Sequence, residues 1–479
     1  MSTNDPVNPI EEKKSAADQL RETLFRPQKH ACEVLSEEEL ARADAFCEGY
    51  KAFLNACKTE RECVRWFREK AGGLGFVPFE EGTAYAPGAK VFLDNRGKAL
   101  ILAVIGQRSP EDGARIAAAH IDSSRLDLKP MPLYEEKSLA LLKTHYYGGI
   151  KKYQWTAIPL ALHGVVAKAD GTVIGVALGE GPDEPRFCVT DLLPHLAADQ
   201  MDRKLSKGVA GEELNIVVGS RPLMMEGKPE GFKCHVLKLL NEKYGIAEAD
   251  LVSAELEAVP AFPACDIGLD RGLIGAYGHD DRVCAYPCAE ALLECVNPEY
   301  TAVCVLADKE EIGSCGNTGL ESNYLYDFLT DIALARGANA RKMLRNSKCL
   351  SADVNAAFDP TFPGVMDPHN AAYLNHGVVL TKYTGSRGKS GSSDASAEFV
   401  AWVRGVLDES GVLWQAGELG KVDEGGGGTV AADLAKLNLD VVDLGVPILS
   451  MHAPFELAGK TDVAMLHRAC GGFYSAARQ

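Results

Sequence analysis

Apolar side chains recur at helical spacing over 37–74, through Leu40, Ala43, Cys47, Tyr50 and Leu54 with Phe46 and Phe53 alongside, which predicts an N-terminal pair of helices. The pattern then changes to short apolar runs bounded by turn residues: 99–105 (ALILAVI), 115–120 (RIAAAH), 302–307 (AVCVLA), 349–353 (CLSAD) and 447–451 (PILSM). Runs of this length and composition predict buried strands. Helical stretches at 283–296 and 393–407 lie between them. Strands alternating with helices predict an α/β fold, a central mixed sheet flanked by helices on both faces.

The middle of the chain reads differently. From 158–175 onward, short β-like pieces such as RFCVTDLL and LNIVVG are separated by ADG and GEGPD turns, with few helical windows. This predicts an inserted, mostly β domain over 133–249, leaving 1–132 and 250–479 as one discontinuous α/β domain. The run of glycines at 425–428 precedes a helical segment.

Composition narrows the function classes. The 479 residues are long enough for two or more domains, and 46% apolar residues can fill a sizeable core. With 67 acidic against 50 basic residues the net charge is -17, which opposes binding to phosphate backbones and anionic membranes. Neither nucleic acid nor membrane is expected as a partner. The opening segment 1–21 is polar and charged, without an apolar run suited to a signal peptide, so the expected location is cytoplasmic. The 14 cysteines fall singly with no C-x-x-C pair, and read as small core residues kept reduced, not as a disulfide frame or a cysteine metal site.

Candidate chemistry lies at strand ends. In open α/β sheets, ligands bind beyond the carboxyl ends of the strands. There His120 and Asp122 close RIAAAHID, Glu310 and Glu311 close AVCVLADKEE, Asp353 closes CLSAD and His452 closes PILSMH, while Asp280 and Asp281 precede the helical run RVCAYPCAEALLECV. Singly, each has a plain structural explanation: a histidine can cap a turn, and an aspartate can cap a helix. Adjacent carboxylates at Glu310 and Glu311 repel one another unless a cation or a proton intervenes. Together, two imidazoles and several carboxylates suit divalent cations, and a thiol-free set able to bridge two of them suits a hydrolytic centre better than a structural zinc site.

The motifs AAAHIDSSRLDLKP, YGHDDRVCAYP, ADKEEIGSCG, LSADVNAAFDP and LSMHAPFELAGKTDV occur in an order and spacing that resembles the aminopeptidase I and aspartyl aminopeptidase family of dinuclear zinc metallopeptidases, over nearly the whole chain. The resemblance implies a metalloaminopeptidase acting on short peptides, with two divalent ions per subunit: zinc, or manganese or cobalt in its place. It implies that His120 and Asp353 hold one ion, Glu311 and His452 the other, and Asp280 both, with Asp281 as the alternative register. It further implies Glu310 as general base and Asp122 as the residue orienting His120. The insert is implied to mediate dimerisation within a homo-oligomer, the family's dodecamer being built from such dimers, and to present a histidine to the neighbouring subunit; His195 is the candidate. Lys382, in VVLTKYTGSRGK, is a candidate contact for an acidic substrate side chain, or a solvated lysine at a strand end. The rival readings are a dipeptidase or amide deacylase on the same two-metal platform, and a non-catalytic assembly protein.

Overall fold

The computed structural model describes residues 15–477 apart from Pro27. Much of the polar opening segment 1–21 therefore lies outside the described residues. Among those described, no helix is long and apolar enough to cross a membrane.

The expected helical pair forms as Glu37–Ala56 and Glu60–Gly73. Each starts at a capping box, Ser36 with Glu39 and Thr59 with Glu62, which satisfies backbone donors that the first turn leaves free. Tyr50, Phe53 and Phe67 from this pair are fully buried. They pack with Val283, Leu444 and Phe473 in the core on one face of a nine-stranded mixed sheet.

That sheet runs, in spatial order, through Val77–Pro78, Lys90–Asn95, Ala99–Val104, Thr301–Ala307, Ala114–His120, Lys348–Ser351, Asp440–Gly445, Val378–Thr381 and Trp414–Ala416. Four central strands are parallel, from Thr301–Ala307 across to Asp440–Gly445. Antiparallel neighbours flank them at Ala99–Val104 and Val378–Thr381. Parallel strands are covered on both faces, and Ala114–His120 and Thr301–Ala307 are buried at every position. Helices Tyr324–Ala335, Ala340–Asn346 and Ala431–Lys436 cover the second face through Leu325, Met343 and Leu434. The molecule thus has the central mixed sheet flanked by helices that the alternating pattern predicts.

Two strand expectations change. The apolar run at 447–451 is a strand only over Pro447–Leu449, and it belongs to a separate five-stranded sheet with Asn355–Ala356, Glu456–Gly459, Leu273–Ala276 and Cys265–Ile267. The strand of the central sheet in this region is Asp440–Gly445, whose two aspartates interrupt its apolar pattern. In the middle of the chain, a seven-stranded antiparallel sheet has its own core around Leu126, Trp155 and Val259. It reaches beyond 133–249 on both sides, because Arg125–Glu136 and Ala254–Pro260 pair with each other near its centre. The stretch also contains a 13-residue helix, Phe232–Tyr244, ended by Gly245 in the left-handed conformation. Of the cysteines, Cys32, Cys234, Cys265 and Cys315 are exposed, a departure from the expectation that all are core residues.

Candidate metal centre

Three parallel neighbours deliver side chains to one place. His120 ends its strand, Glu310 and Glu311 follow Thr301–Ala307 on a short 3-10 turn, and Asp353 lies two residues past Lys348–Ser351. Asp280 comes from the start of the helix His279–Leu293, and His452 from the turn after Pro447–Leu449 in the small sheet. Lys309 and His452 both adopt the left-handed backbone conformation, at φ 67 and 64. Non-glycine residues take up this region at a cost, and the surroundings must hold them there.

The side chains form two triads that share one residue. His120, Asp280 and Asp353 each offer a ligand atom within 4.8 Å of the others, and so do Asp280, Glu311 and His452. His120 Nε2 lies 3.2 Å from Asp280 Oδ1, and His452 Nε2 lies 3.1 Å from Asp280 Oδ2. Glu310 belongs to neither triad, but its Oε2 is 3.7 Å from His120 Nε2. Asp281 faces elsewhere: its Oδ2 accepts the backbone N–H of His120 at 3.3 Å.

Asp122 is the hub that fixes the geometry. Its backbone carbonyl lies 3.0 Å from His120 Nδ1, and its carboxylate accepts the N–H groups of Glu310 and Glu311, each at 3.2 Å. Tyr147 donates to the same carboxylate at 2.9 Å. His452 is held through Nδ1 on the Gly149 carbonyl at 2.9 Å. Gly148, at φ 75, passes so close that a Cβ would sit 2.4 Å from Ser124 Oγ and 2.8 Å from Glu311 Oε2. The stretch from Tyr147 to Gly149 is therefore part of the site's support.

The electrostatics show what the arrangement can hold. Burial, reinforced by neighbouring Asp280, pushes the Glu310 carboxyl up to about 7 and that of Glu311 up to about 8. Burial opposes charge on His452, but its hydrogen bond to Asp280 and the nearby Glu311 prevail and raise the imidazole to about 10. Burial likewise opposes charge on Asp280, yet the two histidines hold its carboxyl well below the usual range. A buried set of oxygen and nitrogen donors with this excess of negative charge fits divalent cations, zinc among them.

Gly149, Asp353, Asn355, Thr381, the Gly426–Gly428 loop, Asp443 and His452 are among the residues lining a cleft of about 570 Å³ over these groups. Asn355, Asp443 and the glycine loop were not singled out by sequence reasoning as site residues. Nor was Glu456, which accepts the N–H groups of Asp280 at 3.1 Å and His452 at 2.7 Å. A carboxylate inside the apolar run VVDLGV was the available signal for Asp443. Lys382 is exposed just beyond the buried Thr381 and is absent from the cleft lining. The Val378–Thr381 strand turns its threonine, not the lysine, to the cleft. His195 is exposed on the turn Pro194–Leu196 and is likewise absent from that lining.

Residues 53–474 match the family of aminopeptidase I zinc metalloproteases, M18. The chain belongs to this family. A probable M18 family aminopeptidase 1 of Clostridium acetobutylicum is 48% identical over 448 residues, covering 92% of this chain and 96% of the relative. One of the same description from Thermotoga maritima is 48% identical over 428 residues, covering 88% and 93%. The crystal structure of the M18 aminopeptidase from Thermotoga maritima superposes with a TM-score of 0.89 at 45% identity, covering 94% of this chain and 99% of that one. The Saccharomyces cerevisiae mApe1 dodecamer shares the fold, with a TM-score of 0.73 at 21% identity over 90% of this chain and 96% of that one. This M18 chain is accordingly a metalloaminopeptidase of a zinc-dependent family.

Proposed function

We propose that this enzyme removes N-terminal residues from short peptides at a two-metal centre, with zinc as the resident ion and manganese or cobalt as substitutes. The supporting observation is the pair of triads sharing Asp280, with one further carboxylate, Glu310, left over beside them. His120 and Asp353 would hold one ion and Glu311 and His452 the other, with Asp280 common to both triads. Bound there, the two cations supply Lewis acidity to the scissile carbonyl and lower the pKa of the attacking water.

The chain's own groups do the rest. Glu310, outside both triads and 3.7 Å from His120 Nε2, takes the proton of the attacking water and passes it to the leaving amine. Asp122 keeps the His120 ring oriented and, through the Glu310 and Glu311 amides, keeps base and ligand in register with it. A substrate's free α-ammonium group would meet a carboxylate of this cleft. An internal peptide or an N-acylated amino acid has none to offer.

The insert pairs two copies into the dimer from which a larger homo-oligomer is assembled. Exposed Leu193 and Leu196, at 50% and 69%, flank His195 on this surface, and His195 of a second copy approaches the cleft.

Glu310→Gln tests the core of the reading. It deletes the base and no ligand, so metal content should stay at the wild-type level while kcat on amino-acid anilides falls roughly 10²- to 10⁴-fold. Unchanged kcat would remove Glu310 from the mechanism. Turnover of N-acylated amino acids and not of anilides would make the enzyme a deacylase.

A further inference from the structure

A second cavity, of about 690 Å³, adjoins the cleft and shares Gly149, Met451 and His452 with it. Three of its wall segments run directly out of the metal centre. Asn355–Ala356 begins two residues after Asp353 and brings Ala356 and Ala357. Pro447–Leu449, its parallel partner, brings Ile448 and Leu449 and leads on to His452. The third segment starts at Gly149, whose carbonyl holds His452 Nδ1, and brings Tyr153. Phe362, Val365 and Met366 complete the apolar lining from the turn Pro363–Val365. That turn is pinned: the Phe362 N–H donates to the Asp359 carbonyl and the Lys421 N–H to that of Val365, each at 3.0 Å.

The apolar groups of this cavity are open to solvent. Phe362 is 64% exposed, Val365 48% and Tyr153 42%, above a floor in which Ile448 is buried. Large apolar side chains left in water on a pinned turn gain from being covered by another apolar group. Besides His452, the lining has one cation, Lys151, and one carboxylate, Asp359, so charge of neither sign is favoured. What enters follows from where a substrate's amine must go. Asp280, Glu310, Glu311 and Asp353, the carboxylates able to meet an α-ammonium group, all line the cleft, and none of them lines the second cavity. An N-terminal residue held by its amine stays in the cleft, and the adjoining cavity across His452 is left for the chain beyond the scissile bond.

We propose that this cavity receives the residue after the scissile bond and selects large apolar and aromatic side chains there, with Phe362 and Val365 setting the preference. This rests on the aminopeptidase reading and adds to it the class of peptide acted on. A phenylalanine ring in the cavity buries itself and the exposed faces of Phe362 and Val365 together. A glycine leaves those faces wet, and an aspartate side chain gives up hydration against them.

Dipeptide amides X-Phe-NH2, X-Gly-NH2 and X-Asp-NH2, which share the N-terminal residue X turned over fastest as its simple amide, isolate this preference. The simple amide X-NH2 loses only ammonia and leaves the cavity empty. For release of X by the zinc-loaded wild-type enzyme, kcat/KM with phenylalanine second should exceed that with glycine or aspartate by at least about tenfold. Phe362→Ala and Val365→Ser should each cut the phenylalanine advantage several-fold, and Phe362→Leu should restore most of it. Turnover of X-NH2 should stay close to wild type throughout, which also reports that each variant is folded. Equal rates for phenylalanine and glycine would mean that something other than the substrate, a second copy of the chain included, covers the cavity, and would overturn the subsite while leaving the aminopeptidase standing. A loss as large on X-NH2 as on X-Phe-NH2 would overturn it too, as would a phenylalanine preference undiminished by either substitution. Hydrolysis of no amide at all would overturn both readings.

Discussion

Asp280 and Asp281 are adjacent, both buried, and turned to different neighbours. The first meets His120 through one carboxylate oxygen and His452 through the other, at 3.2 and 3.1 Å. The second takes the His120 backbone N–H and lies in neither triad. Because Asp280 is common to both triads, Asp280→Asn should deplete both ions, leaving less than one per chain after dialysis. Asp281→Asn, nearly isosteric and in neither triad, should retain metal and lose stability instead, by about 1–3 kcal/mol for a disturbed buried hydrogen bond. Elemental analysis of the two proteins decides between the registers; metal loss confined to Asp281→Asn would reverse the assignment. Outer support is expected to matter as well. Tyr147→Phe removes a donor from the Asp122 carboxylate. It should weaken metal retention or activity by about tenfold or somewhat more, the usual cost of disturbing a ligand's orienting partner.

Among the elements, the strand Asp440–Gly445 binds fold and site most closely. A Cβ on Gly445 would lie 1.7 Å from the Asp353 carbonyl oxygen, a backbone atom that cannot rotate away. Gly445→Ala should therefore force this strand and the Asp353 segment apart, costing about 1–3 kcal/mol of stability and displacing Asp353 from its triad. Metal affinity should fall more than the thermal midpoint implies, and retention of normal affinity would mean the segment yields without consequence. This was also the least legible strand in the sequence. Ala114–His120 and Thr301–Ala307 announce themselves because parallel strands buried on both faces need unbroken apolar runs, so the polar residues ending them, His120 and Glu310 with Glu311, stand out. Asp440–Gly445 carries Asp443 in mid-run, and the adjacent PILSM attracts the eye in its place. His452 is thus found at a strand end, as expected, but of the wrong sheet. Asn355 and Glu456 were illegible for another reason: their significance lies in long-range contacts with Thr381, Asp280 and His452, which no local pattern encodes.

At the scale of the whole molecule, the seven-stranded sheet must keep its place against the nine-stranded one if strand Arg125–Glu136, which leaves the site directly after Asp122, Ser123 and Ser124, is to hold those residues still. A cluster around His163 spans the joint, beside the ion pairs of Glu60 with Arg125 and Lys98. His163, on Leu160–Ala167, next to the edge strand of the seven-stranded sheet, places Nδ1 2.9 Å from Glu62 Oε1, on the first turn of helix Glu60–Gly73. Its Nε2 lies 3.4 Å from Glu180, which also meets Lys58 at 3.4 Å, and Arg65 is 4.0 Å from Glu62. Burial disfavours charge on this imidazole, but the two carboxylates outweigh it and raise the pKa to about 9. A histidine raised in the folded state stabilises it fully below the unfolded value, roughly 6.5, and loses that contribution as pH climbs through the folded value. The contribution, about 3 kcal/mol at most by the size of the shift, should thus be intact at pH 6 and gone by about pH 10. In His163→Gln the glutamine can still donate to one carboxylate but carries no titrating charge. The difference in thermal midpoint between wild type and this variant should therefore be largest at pH 6 and shrink steadily across that window, measured with saturating metal so that the joint and not the metal centre limits unfolding. A difference that stays constant with pH would mean that the ion pairs of His163 contribute nothing across this window, leaving the joint to packing and to the pairs of Glu60 with Arg125 and Arg61 with Glu255.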